Sequence, residues 1–250
     1  MLDKLFKTNI IVTEMRYFMK RTANFLRRTI KIMGIILIGI NLLRIFDKLT
    51  YLKFMQNPIP ALFNSIILVL FSYLPSILKR IKVEISDLLY TITSLSMILS
   101  LVLGMIFNFY THVSGYDSLI HFMNGGLLVY VGLAVLSIFT KNDQLKNISP
   151  FLLIFFAFNF AMMIGAVWEI FEFTADAFGA NMQRYLDINN DLAPFVGREA
   201  LADTMKDFIL NTSGGIIASI ILYFDIKKDS TYLEEIYVTK LEPVESLRTS

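Results

Sequence analysis

Long apolar runs, separated by short polar segments, dominate this chain, and they lack both the helical amphipathic pattern and the two-residue alternation of a strand. Runs of roughly 17 to 25 residues match a hydrocarbon core of about 30 Å when wound as helix. Six segments have that length: residues 30–46, 59–78, 88–110, 119–139, 151–173 and 208–224. Backbone that crosses lipid must satisfy its own hydrogen bonds, so each run predicts a helix. The expected fold is all-α, a polytopic membrane helical bundle of about six transmembrane helices. Pro58, Pro60 and Pro150 sit where helices begin, and Pro75 predicts a kink near the end of the second span.

Composition supports this pattern. Hydrophobic residues make up 55% of the 250, with 22 Phe, and the mean hydropathy is +0.59. A soluble domain of this length carries less apolar content and breaks it into amphipathic stripes. The absence of cysteine removes disulfides, thiolate ligands and a thiol nucleophile.

Charge then sets the expected orientation. Of the 23 Lys and Arg residues, 17 fall in the N-terminal segment together with Lys31 at the start of the first span, in the loops after the second and fourth spans, and in the tail. By the positive-inside rule both termini are expected in the cytoplasm. Residues 1–28 form a basic segment with no cleavable leader pattern. It reads as an N-terminal amphipathic helix on an anionic inner leaflet or as a positive topogenic signal, and composition does not choose between them. The expected organisation is this segment, a six-helix transmembrane domain over 29–225, and a cytoplasmic polar tail over 226–250. The one long connection, 174–206, is net acidic yet holds Tyr185, Leu186, Phe195 and Leu201, which predicts an ordered extracytoplasmic cap.

Against the apolar background, three short acidic clusters stand out. They are Asp117 with His121; Glu169, Glu172 and Asp176; and Asp203, Asp207 and Asn211. Steps of three and four residues stack side chains on one helix face. The clusters fall where the fourth and sixth spans begin and the fifth ends, so all three lie at one membrane depth on the outer side. Ionisable groups in such places are costly and mark a functional site by default. Gly125, Gly126, Gly165, Gly214 and Gly215 lie nearby and allow helices to approach closely.

Six carboxylates in one confined pocket require counter-charge: shared protons, arginines folding down from the cap, or a bound divalent cation. Carboxylate and amide oxygens with one imidazole suit Mg, Mn or Zn. Asp117, His121, Glu169, Glu172, Asp203 and Asp207 are the candidate metal ligands. Five of them, Asp117, His121, Glu169, Glu172 and Asp207, are also candidate acid, base or nucleophile-activating groups, and Asn124, Asp176 and Asn211 are supporting polar residues. Trp168, Tyr110 and Tyr116 read as interface anchors, His112 as surface, and Asn159 as packing glue. A phosphate-binding glycine loop, a serine-hydrolase elbow and a His-Glu-x-x-His motif are absent from the sequence. The basic residues lack interleaved stacking aromatics, which argues against nucleic acid as a partner.

The arrangement Asp117-x3-His121, Glu169-x2-Glu172, Asp207-x3-Asn211-x2-Gly214 resembles the VanZ-like superfamily of small bacterial membrane proteins. Tyr116-Asp117 with His121-Phe122, Trp168-Glu169, and Asp203-Thr204 ahead of Asp207 resemble its YjdF-like branch more closely. The resemblance covers roughly residues 110–215. It implies a bacterial cytoplasmic-membrane protein with an acidic outer-face pocket and a link to envelope chemistry. Ser118 stands where Lys often follows the Asp, and Glu172 where Gln is common, and both departures make the pocket more negative.

Two functions compete. One is a divalent-metal-dependent enzyme acting on a lipid or lipid-linked envelope substrate. The other is a non-enzymatic scaffold, transport-associated or immunity/resistance-type protein whose polar cluster holds helices together. The inner halves of the last three spans are nearly all apolar, which argues against a path open to both sides.

Overall fold

The computed structural model describes residues 2–140, 142–145, 147–187, 191–228 and 239–240. Most of the expected tail, and Lys141 and Lys146 of the fourth-span loop, lie outside the described residues. The chain divides into two compact units, residues 1–114 with 234–250, and residues 115–233.

The first unit opens with α1, Leu2–Ile45, a single 44-residue helix. The expected basic segment and first span are thus one unbroken helix, because no proline interrupts them and Gly34 and Gly39 are tolerated within it. Gly34 is where α2, Pro58–Ser72, packs closely, since a Cβ there would meet Val69 Cγ2 at 2.7 Å and the Ser65 carbonyl at 3.2 Å. Ile30, Leu37, Ala61, Leu68, Val102 and Ile106 form the unit's apolar core. Arg44 closes the end of α1 by donating to Asn41 Oδ1 at 2.8 Å and to the carbonyls of Leu52, Met55 and Gln56 at 3.3, 3.3 and 2.8 Å. It therefore satisfies backbone that the 46–57 loop would otherwise leave open.

Asn57 caps α2 by accepting from the Ile59 N–H. A bend of 50° separates α2 from α3, Leu74–Arg80. Pro75 supplies the cause, as it lacks an N–H and its ring excludes the carbonyl four residues back. After β1, Val83–Glu84, which pairs with β4, Thr239–Lys240, Ser86 caps α4, Asp87–Met97. That helix runs on as a π-helix over Ile98–Ile106. Asn108, in the left-handed region at φ 61°, stops it before the short α5, Phe109–His112. The expected third span over 88–110 is therefore shorter at its C-terminal end.

The second unit contains α6, Tyr116–Phe139; the short α7, Asn142–Leu145; α8, Pro150–Asp176; and α9, Ala202–Lys228. Ser149 caps α8 through Leu152 N–H, with Pro150 in its first turn. Glycines bring the three long helices together. A Cβ at Gly125 would fall on the Asn211 carbonyl, one at Gly214 on the Phe122 carbonyl, and one at Gly132 would meet the Ala157 carbonyl at 2.9 Å. Between α8 and α9 the cap carries β2, Leu186–Asp187, paired antiparallel with β3, Ala193–Pro194, and one 3-10 turn, Glu199–Leu201. In its described part this connection carries those short elements, and α8 and the helical turn leading into α9 take over both of its expected ends.

Large apolar side chains cover the outward faces of these helices, among them Ile170, Phe171, Phe173, Ile209, Ile220 and Phe224, all at least half exposed. Apolar surface this continuous belongs in lipid rather than water. Among the described residues, four helices are long and apolar enough to cross a membrane, Asp87–Ile106, Tyr116–Phe139, Pro150–Asp176 and Glu199–Lys228, or five if the bent α2–α3 pair is one span. The protein is an all-α helical membrane protein, with four or five such spans where about six are expected. Beyond the bent pair, the segment that falls outside this set is residues 30–46, whose helix keeps Arg28, Lys31 and Arg44 within its last 18 residues.

Candidate functional site

The acidic clusters occupy three helix ends of the second unit. Asp117 and His121 lie in the first two turns of α6, Glu169 and Glu172 in the last turns of α8, and Asp203, Asp207 and Asn211 in the first turns of α9. The left-handed Gly115, at φ 76°, lets the chain turn directly into α6 and places Asp117 in its first turn. α9 begins earlier than its apolar run suggests, so Asp203 and Asp207 project from helix rather than loop. Glu169, Glu172, Asp176, Asp207 and Asn211 are all buried, and Asp207 is only 1% exposed.

Asp207 is where the helices meet. Its carboxylate belongs to two groups of potential ligands, Asp117–His121–Asp207 and Glu169–Glu172–Asp207, in each of which the ligand atoms lie within 4.8 Å of one another. His121 Nε2 stands 3.5 Å from Asp117 Oδ1 and 3.8 Å from Asp207 Oδ2, linking α6 to α9. Glu169 Oε2, Asp207 Oδ1, Asp203 Oδ2 and Asn211 Nδ2 are buried without a hydrogen-bond partner. Buried polar atoms are normally satisfied, so these four stand out among the groups at this end of the three helices.

The cap supplies one counter-charge. Arg184 places Nη2 3.3 Å from Asp117 Oδ2 and Nη1 3.7 Å from Asp203 Oδ1. Asp176 holds the chain in this position by accepting the backbone N–H groups of Met182 and, at 3.0 Å, Gln183. Gln183 Nε2 reaches the Glu169 carbonyl at 3.5 Å. Arg198 and Lys206 are both exposed, and Lys206 does not share a face of α9 with its neighbour Asp207. Of the sequence's candidate cations, Arg184 and His121 therefore contact the cluster.

Most expected site residues converge. Asp117, His121, Glu169, Glu172 and Asp207 form the two triads. Asp203 pairs with Arg184 and lies outside both triads, Asp176 organises the cap, and Asn124 is half-buried on α6 outside the triads. Asn211 sits against α6 and α8, where Gly165 leaves the space its amide occupies. Trp168 is more than an interface anchor, because its Nε1 donates to Glu172 Oε1 at 2.8 Å. Its spacing four residues before Glu172 carried that signal, whereas no local pattern marks Gln183 or selects Arg184. Asn159 is exposed and bonded at 2.7 Å to the Phe155 carbonyl of its own helix, so it does not glue helices together. His112 is exposed, as expected.

The arrangement can bind a hard cation through carboxylate oxygens, with an imidazole alongside and an indole N–H orienting one ligand. Such outer hydrogen bonds fix ligand geometry in metal sites.

An uncharacterized protein of Thermotoga maritima is 27% identical over 140 residues, 56% of this chain and 64% of that protein, so the chain spans under two thirds of its relative's length. No solved structure matches. Residues 30–228, which include every member of the cluster, match the family described as "Predicted membrane protein (DUF2238)", and the chain belongs to that family.

Proposed function

We propose that the protein holds a divalent cation (Mg, Mn or Zn) between α6, α8 and α9 and uses it on a lipid or lipid-linked envelope substrate. One observation carries this reading. Asp207, the most enclosed carboxylate among the described residues, stands in both ligand triads while its Oδ1 has no hydrogen-bond partner. A structural carboxylate in that position would be expected to satisfy both oxygens. Glu169, Glu172 and Asp207 would supply the hard oxygen ligands. Asp117 and His121 would complete the coordination or move a proton, with Arg184 balancing charge at the mouth. The cation would polarise a carbonyl or phosphoryl oxygen or activate water.

The Lys and Arg distribution supports cytoplasmic termini and an outward-facing cluster. Likeness to the YjdF-like branch of the VanZ-like superfamily supports the bacterial cytoplasmic membrane and an envelope substrate. The rival reading is a scaffold, and it is favoured by Asn211, whose backbone and amide fill the space left by Gly125 and Gly165. Metal analysis of the purified protein separates the two. A stoichiometric divalent metal, lost in Glu169→Gln, is the expected result. Metal-free protein whose thermal stability ignores both chelation and refilling would overturn the proposal and leave the scaffold.

A further inference from the structure

We infer that the outward face of α1 just before its apolar stretch binds the phosphate headgroup of an anionic phospholipid. The inward face of α1 is uniform, with Ala23, Leu26, Ile30, Leu37 and Asn41 all buried. Its outward face changes character within one turn. Tyr17, Lys20, Arg21, Asn24, Phe25 and Arg28 are exposed first, and Ile32, Ile35, Ile36, Leu42 and Leu43 are exposed after them. A helix surface that becomes wholly apolar enters hydrocarbon there whether or not the helix spans the bilayer, so the boundary falls between Arg28 and Ile32. Asn24, Phe25 and Arg28 then lie within about 10 Å of that boundary along the helix axis, and Arg21, about 14 Å from it, needs the length of its side chain to reach headgroup depth.

Because α1 continues unbroken into the apolar stretch, this basic stretch cannot lie flat in the interface as a separate amphipathic helix. Instead its exposed side chains line a cleft of about 500 Å³, with Tyr17, Lys20, Arg21, Asn24, Phe25 and Arg28 as its described lining. The chemistry selects a phosphate diester carrying an apolar tail. Guanidinium forks match phosphate oxygens, an amide adds a donor, and aromatic rings suit the region where glycerol meets acyl chain. Arg21 and Arg28, whose planar forks match phosphate oxygens better than an ammonium does, are the principal cations for the ligand.

The test is lipid retention by the full-length protein in detergent, read by native mass spectrometry during titration with phosphatidylglycerol or phosphatidylcholine. Phosphatidylglycerol is expected to bind selectively. Arg21→Gln with Arg28→Gln is expected to weaken it roughly 25-fold, on the order of fivefold per surface cation. Lys79→Gln with Arg80→Gln removes the same charge from the exposed end of α3 and is expected to change affinity less than threefold, about what a diffuse charge effect leaves in detergent. Equal retention of both lipids, equal losses in the two double variants, or competition by millimolar inorganic phosphate alone would each overturn the inference. Monodisperse elution and unchanged thermal stability of both variants in phosphatidylcholine show that folding is not what is being read.

Discussion

Replacing Asp207 with Asn separates a metal ligand from a structural carboxylate, because the two roles predict opposite signs. In the Glu169–Glu172–Asp207 group the ligand oxygens lie within 4.8 Å of one another. At an effective dielectric of about 20, two like charges at that distance repel by about 3.5 kcal/mol, so three ionised carboxylates store about 10 kcal/mol without counter-charge. That is comparable to the whole stability of a typical domain, so the cluster needs counter-charge to persist. Asp207→Asn keeps the shape and removes two of the three repulsive pairs. The metal-stripped variant is therefore expected to be at least as stable as metal-stripped wild type. Refilling with divalent metal at about a hundredfold excess over Kd stabilises wild type by about 2.7 kcal/mol. For a chain of this size that raises Tm by about 5–11 °C, on soluble-domain scaling. The variant is expected to lose this response. The assay is thermal unfolding of detergent-purified protein, stripped and refilled, with wild type and variant side by side. If Asp207→Asn lowers the stability of the stripped protein by several kcal/mol and metal moves neither protein, the carboxylate is structural and the reasoning fails.

Other predictions rest on single contacts. Trp168→Phe removes the 2.8 Å hydrogen bond to Glu172 but keeps an aromatic ring, and it is expected to weaken metal affinity by about 10- to 100-fold in a calorimetric titration with little change in Tm. Arg184→Gln removes the cap's cation from Asp117 and Asp203, and because Arg184 is 41% exposed its stability cost is about 1 kcal/mol or less. Divalent affinity is expected to rise severalfold, and a fall would show that Arg184 helps to build the site. Gly214→Ala places a methyl group on the Phe122 carbonyl, which should cost about 1–3 kcal/mol as overpacking, whereas Gly39→Ala meets open space and should be neutral or stabilising. Equal melting temperatures for these two alanine variants would contradict the close α6–α9 packing. Metal binding is expected to weaken as pH falls, since carboxylate and imidazole ligands must release protons to coordinate, and a pH-independent titration would argue against them.

The apolar pattern alone established the membrane class, and helical spacing singled out most of the acidic residues that the structure brings together. Apolar runs too long for a soluble core leave lipid as the solvent, and a carboxylate inside such a run is conspicuous because its desolvation is expensive. Helical spacing alone was enough to put Asp117 with His121, and Asp203 with Asp207 and Asn211, on common faces. What the spacing did not carry was how three helices meet. That depends on which glycines face a neighbouring backbone, and Gly125 and Gly214 do so while Gly39 does not. Nor could it choose Arg184 over Arg198, or turn Asp176 toward the backbone of the cap, because those contacts join residues whose distance depends on the path of a loop. The fusion of the basic segment with the first apolar run was equally beyond reach. Polar and apolar stretches differ in solvent but not in helical propensity, so the helix continues where the composition changes. Asp207 became central only in three dimensions, since convergence is a property of packed helices and not of any one of them.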